Sequence, residues 1–198
     1  MIATTADGSR FDLREDGTWV KVSEATRKVQ VDGFRRAPWG ATKAEILESE
    51  PSKPSGQTDT ALIYEVRLSD LDVQAFYILV NDTLVRAKYI VTEEYTNEYN
   101  YVRAFDRLKD LLVKKYGSPL KDNEYWSDDL WRDDPFKLGV AAASGAYSHY
   151  IIWEIAGSRI ILYLGGENYI VSLLIEYSSL ELETLENEHQ EAAALDQL

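Results

Sequence analysis

Carboxylates are the residues of this chain best suited by type to chemistry. Their densest run is Asp122, Glu124, Asp128, Asp129, Asp133 and Asp134, interrupted by Tyr125, Trp126, Leu130 and Trp131. Oxygen-rich loops hold calcium, which makes Asp128, Asp129, Asp133 and Asp134 the candidate cation ligands. The run nevertheless lacks the Asp-x-Asp-x-Asp-Gly spacing and carries Arg132 within it. The expectation is therefore a solvated loop that drops its aromatics onto the core. A carboxylate pair for glycoside hydrolysis would need a set separation across a cleft, which no spacing along a chain specifies. A cation-dependent or carboxylate-using hydrolase centred on residues 122–134 is the alternative reading. His149 stands beside Ser148, but neighbours along a strand point to opposite faces, and a catalytic serine needs a base on another element together with an oxyanion hole. Gly165-Gly166 is followed by no helix whose amides would face a phosphate, so it reads as a hairpin turn. With no cysteine and only two histidines, thiol catalysis and cysteine-ligated metals are excluded. No catalytic residue and no cofactor is expected.

The 198 residues carry 21 basic against 34 acidic side chains, a net charge of −13, with 45% hydrophobic content. That balance disfavours nucleic acid and anionic membrane surfaces as partners, while the apolar fraction suffices for a real core. No apolar run approaches the roughly 20 residues of a membrane-spanning helix, and residues 1–25 lack the sections of a signal peptide. Six of the excess negative charges, Glu181, Glu183, Glu186, Glu188, Glu191 and Asp196, fall in a tail with no lysine or arginine. The favoured reading of residues 179–198 is a solvated acidic tail, with a frayed amphipathic helix as its rival.

The elements that must position any site are legible from periodicity. Arg10 to Arg14 and Thr18 to Val22 alternate around Glu15-Asp16-Gly17, which spells a leader hairpin, with a polar linker completing residues 1–32. Thr42 and Glu45 have the spacing of a capping box at the head of a helix from Lys43 to Glu50. Between Asn97 and Tyr116, Tyr101, Phe105, Leu108 and Leu112 mark the apolar stripe of a longer helix, which Gly117 and Pro119 stop. Val140 to Ala143 reads as a strand leading into a turn. Ile63-Tyr64-Glu65-Val66 and Ile152-Trp153-Glu154-Ile155 match residue type for residue type, and each is followed by two further strands and preceded by a helix. The predicted fold is α+β: two tandem α-β-β-β units, residues 33–95 and 96–178, forming one antiparallel sheet with helices on one face, preceded by a β-hairpin.

Aromatic residues make up 12% of the chain, with 13 tyrosines. Both faces of the central strands are apolar, which two helices on one side cannot cover. Tyrosine buries a large area at low entropy cost, so a face carrying Tyr64, Tyr77, Glu154 and Tyr163 is the candidate binding surface, with a second protein as the expected partner.

Gly33-Phe34-Arg35 with Pro38-Trp39-Gly40, then Thr42-Lys43-Ala44-Glu45 and Lys115-Tyr116-Gly117-Ser118-Pro119, resemble a group of uncharacterised bacterial proteins, many of them exported or lipid-anchored. The helix-then-strands repeat over residues 33–178 is similar to the β-lactamase-inhibitor-protein fold and to small outer-membrane assembly lipoproteins. The resemblance implies a non-catalytic, protein-binding role and a periplasmic or extracytoplasmic location. It carries over no catalytic residue.

Overall fold

The computed structural model describes residues 2–4, 10–13, 19–22, 32–155 and 157–195. At the N-terminal side, β1 (Ile2–Thr4), β2 (Arg10–Leu13) and β3 (Trp19–Val22) form a small antiparallel sheet. The register from Arg10↔Val22 to Leu13↔Trp19 is that of the expected hairpin. Its turn at 14–18 and the linker at 23–31 lie outside the described residues.

After a two-residue-per-strand hairpin, β4 (Gly33–Phe34) and β5 (Ala37–Pro38), comes α1 (Lys43–Ser49). Its capping box is complete: the Glu45 amide donates to Thr42 Oγ1 at 3.3 Å and the Thr42 amide donates to Glu45 Oε2 at 2.7 Å. Four strands follow, β6 (Gly56–Gln57), β7 (Ala61–Leu68), β8 (Leu71–Val80) and β9 (Thr83–Val91). Then α2 (Tyr99–Tyr116) buries Val102, Phe105, Leu108 and Leu112 and ends at Gly117, where φ is +84°. β10 (Lys121–Trp126), α3 (Leu138–Ser144), β11 (Tyr147–Ile155), β12 (Ser158–Glu167), β13 (Ile170–Ser179) and α4 (Glu183–Leu195) complete the chain.

The fold is α+β around one eight-stranded antiparallel sheet, ordered β10-β11-β12-β13-β9-β8-β7-β6. The first half is α1 followed by the meander β6 to β9, whereas the second inserts α3 between β10 and β11, so neither half is the expected α-β-β-β unit; the last strands of the two halves, β9 and β13, pair at the centre from Leu174↔Ile90 to Ser178↔Arg86. Period-two alternation then sorts the side chains. Leu62, Tyr77, Ala87, Tyr177, Ile160 and Trp153 lie in one register row across six strands, all buried under α1, α2 and α3. The opposite row, Phe76, Lys88, Glu176, Ile161 and Ile152, is half-buried. None of the helices is long and apolar enough to cross a membrane, among the described residues.

Three local expectations change. The alanine run is the helix α3, closed by Gly145 in the left-handed conformation; alanine has the best intrinsic helix propensity, and four apolar residues are too few to show a period. Residues 121–126 form an edge strand, paired from Lys121↔Ile152 to Trp126↔Tyr147, rather than a loop. Its charged residues hide it from an apolar-pattern reading. The acidic tail contains α4, which lies over the opposite face of the sheet: Arg159 Nη1 donates to Glu183 Oε1 at 3.0 Å, and Arg86 pairs with Glu186.

Leu108 is 2% exposed and Leu111, on the same helix, 44%. Leu108→Ala should cost about 2 to 5 kcal/mol in urea unfolding, whereas Leu111→Ala should stay within about 0.5 kcal/mol of the parent. Equal losses would refute this orientation of α2.

Candidate functional site

The β4–β5 hairpin is the tightest backbone feature of the first half. A Cβ on Gly33 would come within 2.0 Å of the Ala37 carbonyl oxygen, so only glycine fits there. Arg35, the first residue of its turn, has φ of +56°, a conformation that glycine usually supplies at that place. An arginine held there must be restrained by its side chain, and the restraint is visible. Arg35 Nε donates to Glu50 Oε1 at 2.8 Å and Nη2 donates to Oε2 at 2.9 Å, a bidentate pair. The Glu50 side chain is 0% exposed. Glu50 caps the end of α1, its amide donating to the Ile46 carbonyl at 3.1 Å, and Pro51 bars the helix from going further. Tyr77 donates its hydroxyl to Glu50 Oε1 as well.

Electrostatics follow from this geometry. Burial pushes the Glu50 carboxyl up, but the hydrogen bonds from Arg35 and Tyr77 outweigh it and leave the group below the usual carboxylate range. The Arg35 guanidinium is raised, chiefly by its hydrogen bond to Glu50. Burial raises the Tyr77 hydroxyl, and the bond to Glu50 adds to it. Tyr64, also raised by burial and by the Glu50 charge, has a buried hydroxyl with no hydrogen-bond partner among the described residues. Phe34 packs against Tyr77, Tyr89 and Tyr177 with ring centroids at 5.1, 4.7 and 5.4 Å.

Beside this cluster a cavity of about 470 Å³ opens between the hairpin, the sheet and the end of α2. Tyr89 and Tyr177 come from the central strands, Leu68 from β7, Lys115 and Tyr116 from α2, and Arg35 and Arg36 from the hairpin turn. Burial raises the hydroxyl of Tyr89 and pushes that of Tyr177 well above its usual range. Lys115 Nζ stands 4.8 Å from the Tyr116 ring centroid.

The residues expected to form a binding surface do not converge. Tyr64 and Tyr77 are fully buried on the core face, whereas Tyr163 and Glu154 lie on the opposite face, Glu154 accepting from Arg159 Nε at 3.0 Å. Tyr64 corresponds in its strand to Trp153, not Glu154, so period two puts the four residues on two sides of the sheet. The candidate cation ligands are also apart. Asp128 and Asp134 accept from the amides of Leu130 and Phe136 at 2.8 and 3.0 Å, and Asp129 pairs with Arg132 at 2.8 Å. Among the described residues no three acidic or histidine side chains gather as a metal site.

His149 turns away from Ser148. Its Nε2 lies 2.6 Å from Asp122 Oδ1, its Nδ1 3.2 Å from the Tyr147 hydroxyl, and Lys109 Nζ donates to Asp122 Oδ2 at 2.7 Å. Burial raises Asp122, but the hydrogen bonds from Lys109 and His149 outweigh it and lower the carboxyl. With Tyr147 2% exposed and the Phe105 ring packed at a tilt 4.6 Å from the imidazole, this group braces β10 and β11 against α2 and leaves no room for a substrate on the tyrosine.

Sequence reasoning missed Arg35, Arg36, Glu50, Tyr89 and Tyr177 as a site. A signal existed: Gly33-Phe34-Arg35 and Lys115-Tyr116, two segments that carry the family resemblance, meet at this cavity.

No family model matches the chain, and no curated protein does. Among solved structures, a DUF4309 family protein (YjgB) from Bacillus subtilis is similar at 11% identity over 77% of this chain and 85% of that chain, with a TM-score of 0.37. A likeness that weak carries no argument about this protein.

Arg35→Gln would strand a buried carboxylate, so it should cost about 3 kcal/mol at neutral pH. A carboxyl lowered in the folded state stabilises the parent above its unfolded value of about 4.3 and stops doing so as pH falls through the folded value. In the variant only the Tyr77 hydrogen bond and the Arg36 charge still oppose burial, so the Glu50 carboxyl rises from its parent position and protonation relieves the penalty. Urea midpoints should therefore differ widely at neutral pH and converge in mild acid; a deficit that does not change with pH would contradict the pairing.

Proposed function

We propose that the protein is a non-catalytic binding module and that its site is the tyrosine-walled cavity. The supporting observation is the meeting of a strained, ion-paired hairpin with the end of α2 around a space of about 470 Å³, a size typical of small-ligand pockets. Binding suits the groups there better than catalysis does. Glu50 is buried and bonded to Arg35 and Tyr77, so it is unavailable as a base. Tyrosines raised by burial donate hydrogen bonds rather than attack. Export from the cytoplasm is proposed with this role, on the resemblance of the hairpin and helix-end segments alone. A docking role for the opposite face receives less support, because its centre is crossed by ion pairs of Lys88 with Glu176 and of Arg86 with Glu186.

Saturation-transfer NMR with a set of aromatic fragments tests the assignment. Leu68 lines the cavity and is half-buried, so Leu68→Trp should fill it and extinguish the signals seen with the parent chain. Tyr163→Asp, on the opposite face, should leave them unchanged. Signals lost in Tyr163→Asp and kept in Leu68→Trp would move the site to the open face of the sheet and overturn the proposal.

A further inference from the structure

The charge around the cavity runs against the charge of the molecule. The chain as a whole carries −13, yet the charged residues lining the cavity are Arg35, Arg36, Lys115 and Asp32. Arg35 is already answered by Glu50 at 2.8 and 2.9 Å. That leaves Arg36 and Lys115 against the single carboxylate of Asp32. Arg36 makes no hydrogen bond or ion pair within the protein among the described residues, and Lys115 has only the face of the Tyr116 ring. Both side chains are exposed, with their charges at hand at the rim.

The walls specify the rest. Tyr89, Tyr116 and Tyr177 line it with ring surface and phenolic hydroxyls, that of Tyr89 beside Arg35 and that of Tyr177 beside Tyr116, with Tyr89 and Tyr177 set edge to face at 6.2 Å. Leu68 and Pro38 add apolar contact without a polar group of their own. A group held by two cations is an anion, and the tyrosine ring surface beside Leu68 and Pro38 suits a flat apolar body. A cationic ligand would meet the repulsion of Arg36 and Lys115, and a neutral one would use neither.

Resting on the proposed binding role of this cavity, we infer that its ligand is a small organic anion, a carboxylate or phosphate on a planar apolar body, with Arg36 and Lys115 receiving the anionic group and the tyrosines flanking the ring. The surrounding acidic surface repels anions at long range, so recognition depends on these two local charges rather than on electrostatic steering.

Isothermal titration calorimetry of the full chain with benzoate, phenyl phosphate, benzyl alcohol, benzylamine and inorganic phosphate tests the inference. At least one aromatic anion should bind about tenfold more tightly than benzyl alcohol, the worth of one charge-assisted hydrogen bond. Benzylamine should bind no better than the alcohol, and inorganic phosphate should bind more weakly than phenyl phosphate. The ranking of benzoate against phenyl phosphate decides between carboxylate and phosphate. The double variant Arg36→Gln, Lys115→Gln should lose that advantage while keeping the parent's melting temperature and its affinity for benzyl alcohol. Anions no tighter than benzyl alcohol, or unaffected by the double variant, would overturn the anion assignment and leave the cavity as a binding site. Failure of all these probes to bind would overturn both readings together.

Discussion

A carboxylate with none of its side chain open to water needs a cation beside it, and Glu50 finds one only because the hairpin delivers Arg35. The two lie 15 residues apart, on either side of α1. Pro51 and the capping box fix where that helix stops and starts, so Glu50 has little freedom of position. The hairpin supplies the adjustment. Arg35 takes a backbone conformation unusual for any residue but glycine, and Gly33 yields the space for the strands to approach. Once Arg35 is held, Phe34 is carried into the ring of Tyr77, Tyr89 and Tyr177, and Arg36 is left at the rim without a hydrogen bond or ion pair among the described residues. Cavity, strained turn and rim cation all gather around one buried ion pair.

The sheet sets the stage on which that pair acts. Pairing β9 with β13 joins two meanders into one surface, and alternation then gives one face to large aromatics and the other to mixed side chains. The core face buries Tyr64, Tyr77 and Trp153 under helices, and Trp153 Nε1 donates to the Gly117 carbonyl at 2.9 Å, tying the end of α2 to the sheet. That tie also places Lys115 and Tyr116 over the cavity mouth. On the opposite face α4 brings Glu183 and Glu186 to Arg159 and Arg86, so part of the excess acidity of the tail is answered locally.

Signals between near neighbours were legible in the sequence. Thr42 and Glu45 announced α1 because their bond spans one helical turn, and the stripe through Phe105, Leu108 and Leu112 announced α2. The leader hairpin and the three long antiparallel strands of each half, β7 to β9 and β11 to β13, followed from turns and alternation, whereas the short β6, the edge strand β10 and the helix α3 did not. What failed were features decided by distant partners. β10 is a strand because β11 offers it an edge, not because its own residues alternate apolar with polar. The alanine run of α3 carries no period. The Arg35–Glu50 pair leaves no local mark, and the aromatic content pointed to an interface when seven of the aromatics are core and seven more pack against it. Assigning Tyr64 and Glu154 to one surface failed on parity: in the matched tetrapeptides Tyr64 is equivalent to Trp153, both on the core face, and the neighbouring glutamates point the other way.

Residue-resolved chemical-shift mapping tests the account most directly. In amide spectra of the full chain titrated with phenyl phosphate, the shifts should gather at Phe34 to Ala37, Tyr89, Lys115, Tyr116 and Tyr177. Shifts gathered instead at Tyr150, Ile161 and Tyr163 would place recognition on the opposite face of the sheet and contradict the account.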